Sequence, residues 1–211
     1  MKRQGVLALS SLPLMAVSGC SGSFEIGRSA MGMPQCPAQQ EQTPGDLSSA
    51  LLLVAQSVPT ATRLPCVRAL AAGWTFRRLD ARTNRARFTL DSDREGASAV
   101  TVTLERNCDV SAAAEVASDE AGTHRFDRVA SPSSGYRGDR FYVYDGGCVT
   151  YHLNLGGKTG AEPVQAISEM LQFVDRDVLR RYVHHYSDGR FELDAAPASG
   201  RLMTGSPGRQ T

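Results

Sequence analysis

The side chains best suited to acid–base or metal chemistry are the histidines His124, His152, His184 and His185. Neighbouring residues of a helix point to different sides, so His184 and His185 cannot form the i, i+4 clamp of helical metal sites. His152 falls in a strand pattern, where we expect it to pack against a cross-strand partner. The chain contains no nucleophile-elbow, zinc-protease or phosphate-loop motif. We therefore expect no histidine catalysis, no metal and no cofactor. A triad of distant Ser, His and Asp residues stays open, because triads are geometric rather than sequential.

The segment DSDREG, residues 91–96, matches part of a calcium-binding loop. Asp91, Asp93 and Glu95 stand at loop positions 1, 3 and 5. Position 12, which supplies a bidentate carboxylate in such loops, is Val102. The segment therefore predicts a hairpin turn rather than a calcium site.

Cys20 follows a short apolar segment near the N-terminus. Lys2 and Arg3 give a positive start, and residues 6–17 (VLALSSLPLMAV) form an uncharged run of 12 residues. This is the pattern of an export signal peptide. A transmembrane helix needs about 20 apolar residues, so the run is too short to serve as a membrane anchor.

The residues Val17-Ser18-Gly19-Cys20 resemble the lipobox of bacterial lipoproteins, and the resemblance is confined to the first 20 residues. It implies removal of residues 1–19 and a diacylglycerol on the thiol of Cys20, often with further acylation such as palmitate. Two or more acyl chains anchor a protein stably. The expected location is outside the cytoplasm, with membrane lipid as the partner of Cys20. The alternative is a soluble secreted protein cut at another small residue, with Cys20 in a disulfide.

The remaining cysteines are Cys36, Cys66, Cys108 and Cys148. An even number in an exported chain predicts two disulfides. Four cysteines allow three connectivities. Sequence order and the entropy cost of closing each loop favour a bridge between Cys36 and Cys66 and another between Cys108 and Cys148. The spacing lacks the C-x-x-C and paired Cys/His patterns of zinc sites.

The composition predicts one globular domain. The chain has 211 residues, 41% of them hydrophobic, and a net charge of +1. This balance provides no basic field for a nucleic acid partner. We assign residues 1–19 to the signal peptide, 20–45 to a Ser-, Gly-, Gln- and Pro-rich tether, 46–196 to the domain and 197–211 to a disordered tail.

The hydrophobic periods predict the elements that position these residues. Residues 46–58 predict a helix with Asp46 as N-cap, and residues 74–90 predict a hairpin. Residues 100–104 and 124–129 predict strands, with a connection and at most one helical turn at residues 111–122.

The second half of the chain begins with the clearest β pattern, at residues 140–155. Its turn is expected at Gly146-Gly147, which would place His152 opposite Phe141 and Cys148 opposite Asp145. One helix is expected after Pro163 with a stripe reaching Val174, then a second helix capped by Asp175. A short strand is expected at residues 190–194.

The pattern predicts an α+β fold: an antiparallel sheet of five or six strands, one N-terminal helix, two C-terminal helices and two disulfides. Tyr136, Tyr142, Tyr144 and Tyr151, with Trp74, are expected to pack in the core or on the sheet rather than to form a ligand platform. Two functions stay open. One is a non-catalytic lipoprotein that binds an envelope protein or glycan, and the other is a small membrane-tethered hydrolase.

Overall fold

The computed structural model describes residues 32–37, 48–131, 135–156 and 162–197. Cys20, the predicted signal peptide and the tail from residue 198 onward lie outside the described residues. The helices are α1 (Ser49–Ser57), α2 (Glu162–Met170) and α3 (Arg176–Tyr186). The strands are β1 (Arg63–Val67), β2 (Trp74–Arg82), β3 (Arg85–Ser92), β4 (Gly96–Glu105), β5 (Ala114–Val116), β6 (His124–Ser131), β7 (Tyr136–Tyr144), β8 (Gly147–Leu155) and β9 (Leu171–Asp175).

The predicted α+β class, with one N-terminal and two C-terminal helices, is confirmed. The main sheet has seven antiparallel strands in the order β2-β3-β4-β8-β7-β6-β5, where five or six were expected. The extra strand is β5, and the predicted connection with a helical turn is wrong there. Its three residues, all exposed, pair with β6 at the sheet edge, where only one neighbouring strand is available.

A second, two-stranded sheet joins β1 to β9. The prediction that the helix continues through Val174 is wrong, because α2 ends at Met170 and the chain enters β9 directly. Leu171 and Val174 are buried as predicted, but on a strand. A short apolar run fits a helix or a strand equally well until its partner is known, and β1 is that partner. The strand predicted at residues 190–194 is absent from this described segment, which is irregular.

The hydrophobic core lies between one face of the main sheet and a layer made of the small sheet and the helices. Leu51 and Val54 of α1, Leu64 of β1 and Leu179 of α3 are fully buried in the same cluster as the sheet residues. The helix α1 is capped at its N-terminus by Ser48, whose hydroxyl accepts a hydrogen bond from the backbone N–H of Leu51. The predicted cap, Asp46, lies outside the described residues.

The hairpin between β7 and β8 turns at Asp145-Gly146 and not at Gly146-Gly147. Gly146 has a φ of 75°, and a Cβ there would overlap the carbonyl oxygen of Thr60. The predicted register is therefore wrong by two residues, and Cys148 faces Val143. Because side chains alternate with a period of two, each residue keeps its predicted face and only its partner changes.

The two disulfides join Cys36 to Cys66 and Cys108 to Cys148, as the preferred pairing predicted. Their sequence separations of 30 and 40 residues correspond to about 3 to 4 kcal/mol each in the chain-entropy model. The first bridge also fixes residues 32–37 beside β1. The backbone N–H of Cys36 donates to the carbonyl of Val67, and the N–H of Val67 donates to the carbonyl of Pro34. Part of the segment expected to be tether is therefore attached to the domain.

The buried cation Arg176 connects α1, α3 and the C-terminal segment within the layer of helices and small sheet that covers the core, which we call the helical layer. Arg176, at the start of α3, is 2% exposed, and its guanidinium donates hydrogen bonds to the carbonyl oxygens of Ala55, Val58, Ala61 and Asp194. The carbonyls of Ala55 and Val58 belong to the C-terminal end of α1, where a helix leaves acceptors unpaired and favours positive charge. Burial lowers the pKa of Arg176. The interaction joins both ends of the domain sequence through backbone acceptors.

We expect Arg176→Met to lower the free energy of unfolding by about 3 to 5 kcal/mol, because it leaves several buried carbonyl groups without donors. Arg181→Met is the matched control: Arg181 is exposed on the same helix, so its loss should change stability by no more than about 0.5 kcal/mol. Urea denaturation of both variants measures the difference. Equal stability of the two variants would contradict the role assigned to Arg176.

Candidate functional site

The four histidines lie in three regions of the described structure. His184 and His185 are both exposed on α3. His124, on β6, lies 3.1 Å from the carboxylate of Glu115 on β5. His152, on β8, contacts the carboxylate of Asp139 through a ring nitrogen, and Asp139 in turn binds Arg128.

His152 belongs to a row of polar side chains that crosses four adjacent strands. The register pairs Thr101 of β4 with His152, His152 with Asp139 of β7, and Asp139 with Arg128 of β6. Residues in direct cross-strand register share a face. This face is opposite to the one that carries the core, and we call it the open face. The four residues form the His152 row.

Asp139 is the centre of the His152 row. Its Oδ1 lies 2.6 Å from Nδ1 of His152, and its Oδ2 accepts hydrogen bonds from Nε and Nη2 of Arg128 at 3.2 and 2.7 Å. Burial raises the pKa of Asp139, but the hydrogen bonds from His152 and Arg128 outweigh it, so the pKa lies below its ordinary value. An ionised carboxylate accepts only, so it places the proton of the imidazole on Nδ1.

Arg128 is supported from two sides. Its guanidinium lies 5.0 Å from the ring centroid of Phe141, and Nη1 donates to the backbone carbonyl of Ser111 at 3.3 Å. The sulfur of Cys108 lies 3.2 Å from the hydroxyl oxygen of Thr150. These contacts bring the connection after β4 onto the open face, where the second disulfide ties it to β8.

The His152 row has the carboxylate–imidazole half of a hydrolytic triad but lacks the rest. Within the described residues, the hydrogen bonds of His152 end at Asp139, and the hydroxyl of Thr101 is not among its partners. His152 also lines none of the cavities found beside Trp74, Arg63 and His184. Among the described residues, the row therefore holds a carboxylate–imidazole pair in which no hydroxyl or thiol is hydrogen-bonded to the histidine.

The cavity beside His184 also lacks a catalytic arrangement. It contains Asp177, Arg180 and Glu192 together with His184. Asp177 makes an ion pair of 3.0 Å with Arg180 instead of contacting the histidine. In the described part of the chain, neither His152 nor His184 combines a cavity with a carboxylate contact. His124 combines the two, since it lines the cavity beside Arg63 and contacts Glu115.

A buried polar cluster, which the sequence interpretation missed, lies on the core side of β6 and β7. Arg140 is 5% exposed, and its Nη1 donates to Ser168 of α2 at 3.3 Å. Its Nε lies 3.4 Å from Asp127 but is not aligned as a hydrogen bond. Asp127 also forms an ion pair with Arg125, whose Nη2 lies 2.6 Å from Oδ2 of Asp127. The even spacing of Arg140 and Tyr142 within one strand was the available indication that Arg140 faces the core.

The strand tyrosines are confirmed as core residues. Tyr142, Tyr144 and Tyr151 are buried, and all three rings pack against Phe173 of β9. The hydroxyl of Tyr142 donates to Asp119 at 3.0 Å, and burial raises its pKa, so it stays a neutral donor. These rings are not available as a ligand platform.

The DSDREG segment forms the predicted turn between β3 and β4. Asp91 accepts a hydrogen bond from the backbone N–H of Ser98 at 2.7 Å, and the hydroxyl of Ser92 accepts from the N–H of Glu95 at 3.3 Å. Val102 is buried in the core. Across the described ranges, no group of three or more His, Cys, Asp or Glu side chains is placed to hold a metal ion.

Comparisons with protein-family models, with curated proteins and with solved structures find no match to this chain. Among the described helices, none combines the length and the apolar character needed to cross a membrane.

We expect Asp139→Asn to destabilise the domain by about 1.5 to 3 kcal/mol at pH 7, because it removes charge-assisted hydrogen bonds to Arg128 and His152. The folded-state pKa of Asp139 is depressed, so its contribution is present above the unfolded value near 3.9 and is lost as pH falls through the folded value. The difference in the free energy of unfolding between wild type and Asp139→Asn should therefore become smaller below about pH 4.

Asp80→Asn is the control, since Asp80 makes an exposed pair of 3.0 Å with Arg82 on the same face, and such pairs contribute about 1 kcal/mol or less. Urea denaturation across a pH series measures both variants. A gap for Asp139→Asn that stays constant down to pH 2 would contradict the assignment of its depressed pKa.

Proposed function

We propose that this chain is an extracytoplasmic lipoprotein, held at a bacterial membrane by acylated Cys20, whose domain binds an envelope protein or glycan without catalysing a reaction. The observation that carries the proposal is the lipobox-like sequence at Cys20 in a chain whose other four cysteines form two disulfides. Disulfides persist in oxidising compartments outside the cytoplasm, which is where a lipobox would send the chain.

The first disulfide supports the proposed anchor mechanically. The bridge between Cys36 and Cys66 fastens residues 32–37 to β1 in the helical layer. From Cys20 to Cys36 the chain advances 16 positions, which reach at most about 55 Å when fully extended. A force on the lipid would therefore be transmitted to a covalent link in the folded domain.

We expect Cys20→Ala to abolish incorporation of a labelled fatty acid and to move the protein from the detergent phase to the aqueous phase on phase partitioning. The reason is that the thiol is the acceptor of the diacylglycerol in the proposed modification. Metabolic labelling in a bacterial host and phase separation measure the two effects.

The control is the double variant Cys108→Ala with Cys148→Ala, which removes two thiols and leaves Cys20 in place. It should keep the label and the detergent-phase partitioning. Unchanged labelling of Cys20→Ala would refute the lipoprotein proposal, as would loss of the label from the control at wild-type expression.

A membrane-tethered hydrolase is the second candidate, and the hydrogen bond between Asp139 and His152 is the observation that favours it. We expect His152→Gln to leave any hydrolytic rate of the purified protein within about threefold of wild type. A general base contributes roughly 100- to 10,000-fold, and the described row holds no partnered nucleophile.

His185→Gln is the control, because His185 is exposed on α3, contacts no carboxylate among the described residues and lines none of the three cavities named above. Turnover of ester and amide substrates is measured for both variants together with the melting temperature. A loss greater than 100-fold in His152→Gln alone, at unchanged melting temperature, would replace the binding proposal with the hydrolase.

A further inference from the structure

The open face is positively charged, although the net charge of the whole chain is only +1. Strand register and ion-pair contacts place seven arginines and five acidic residues on it, and this set has a net charge of +2: Arg77, Arg78, Arg82, Arg85, Arg87, Arg128 and Arg137 against Asp80, Asp91, Glu105, Glu115 and Asp139. In the other described residues, Asp and Glu outnumber Arg. The domain therefore has a basic sheet face and an acidic remainder.

Three arginines of the open face are exposed and have no ion-pair partner in the described part of the chain: Arg78, Arg87 and Arg137. By contrast, Arg77 lies 3.6 Å from Asp91, and Arg128 is held by Asp139. The three unpaired residues lie on β2, β3 and β7. Since neighbouring strands are about 4.8 Å apart, β2 and β7 are separated by roughly 19 Å in the sheet order. The free charge is thus spread over a broad surface rather than gathered in a pocket.

We propose that the open face docks on the anionic phospholipid headgroups of the membrane that holds the Cys20 anchor. This inference rests on the proposed function, which it extends by naming the partner of this face. A sheet face with free guanidinium groups complements a plane of phosphates, because guanidinium binds phosphate oxygens in a bidentate manner. The acidic remainder of the domain would be repelled by the same surface, so the two charges favour one orientation.

The anchor makes this weak attraction effective. A domain tethered to the membrane by Cys20 stays close to the headgroups, so docking becomes an intramolecular step at high effective concentration. Three free arginines are too few for tight binding from solution at physiological salt, where surface charges are screened beyond about 8 Å. Docking therefore adds orientation to an attachment that the lipid supplies.

The test uses the chain from Ser21 to Thr211, which keeps all described residues and both disulfides but lacks the leader and the acyl group. Co-sedimentation is measured at low ionic strength with vesicles of phosphatidylcholine alone and with vesicles containing phosphatidylglycerol. We compare wild type with the triple variant Arg78→Gln, Arg87→Gln, Arg137→Gln. The matched control is Arg68→Gln, Arg181→Gln, Arg190→Gln, which removes the same charge from exposed arginines outside the open face.

We expect wild type and the control to bind the anionic vesicles and not the neutral ones. The open-face variant should bind them at least about tenfold more weakly, since each arginine near an anionic surface contributes roughly fivefold. Equal weakening of the two triple variants would refute docking by this face, and so would equal binding to neutral vesicles. Tighter binding of wild type to a DNA duplex than to anionic vesicles would assign the face to another polyanion and overturn the proposal.

The two proposals fail separately. Loss of vesicle binding with normal labelling at Cys20 would leave the lipoprotein in place and remove only the docking face. Binding to anionic vesicles in a protein that takes no fatty acid at Cys20 would keep the charge complementarity but remove the tether on which the proposed orientation depends.

Discussion

The fold depends on the burial of one guanidinium group at the junction of its helices. Arg176 begins α3, and its donors reach carbonyl groups at the end of α1, in the connection to β1 and in the C-terminal segment. Its backbone N–H also donates to the carbonyl of Thr62. Without these bonds, the end of α1 would bury acceptors with no donor, so closing the helices over the sheet would cost about 3 to 5 kcal/mol more, the loss expected for Arg176→Met. Arginine suits this position because its planar fork serves several acceptors at once.

The second constraint is the turn at Asp145-Gly146, which sets the register of β7 against β8. That register brings Asp139 beside His152 on the open face and Tyr142 beside Val149 in the core. One glycine with positive φ, packed against Thr60, thus determines which polar side chains meet on the opposite side of the sheet. If β7 slipped by two residues against β8, the same apolar residues would face the core, but Asp139 would no longer lie opposite His152.

Sequence patterns predicted what depends on local periodicity and missed what depends on distant partners. The helix α1, the faces of the central strands and the disulfide pairing followed from helical periodicity, strand alternation and loop length, whereas the cap of α1 is Ser48 and not the predicted Asp46. The strand β9 did not, because its run fits a helical stripe until β1 is placed beside it. Arg176 and Arg140 were missed for a related reason: a charged residue is buried only when the whole fold supplies its partners. The contact between His152 and Asp139 required the register, which the sequence interpretation placed two residues away.

The two disulfides act on opposite sides of the sheet. The bridge at Cys66 fixes the N-terminal segment to the helical layer, on the side of the core. The bridge at Cys148 fixes the connection after β4 to the open face, where the Ser111 carbonyl receives Arg128 and the Arg128 guanidinium covers Phe141. Reduction of the first bridge would release the segment that leads to the proposed anchor and leave the open face intact. Reduction of the second would free the connection that supports Arg128, and through Arg128 it would loosen Asp139 and His152. The cysteines therefore separate attachment of the domain from the shape of its charged face.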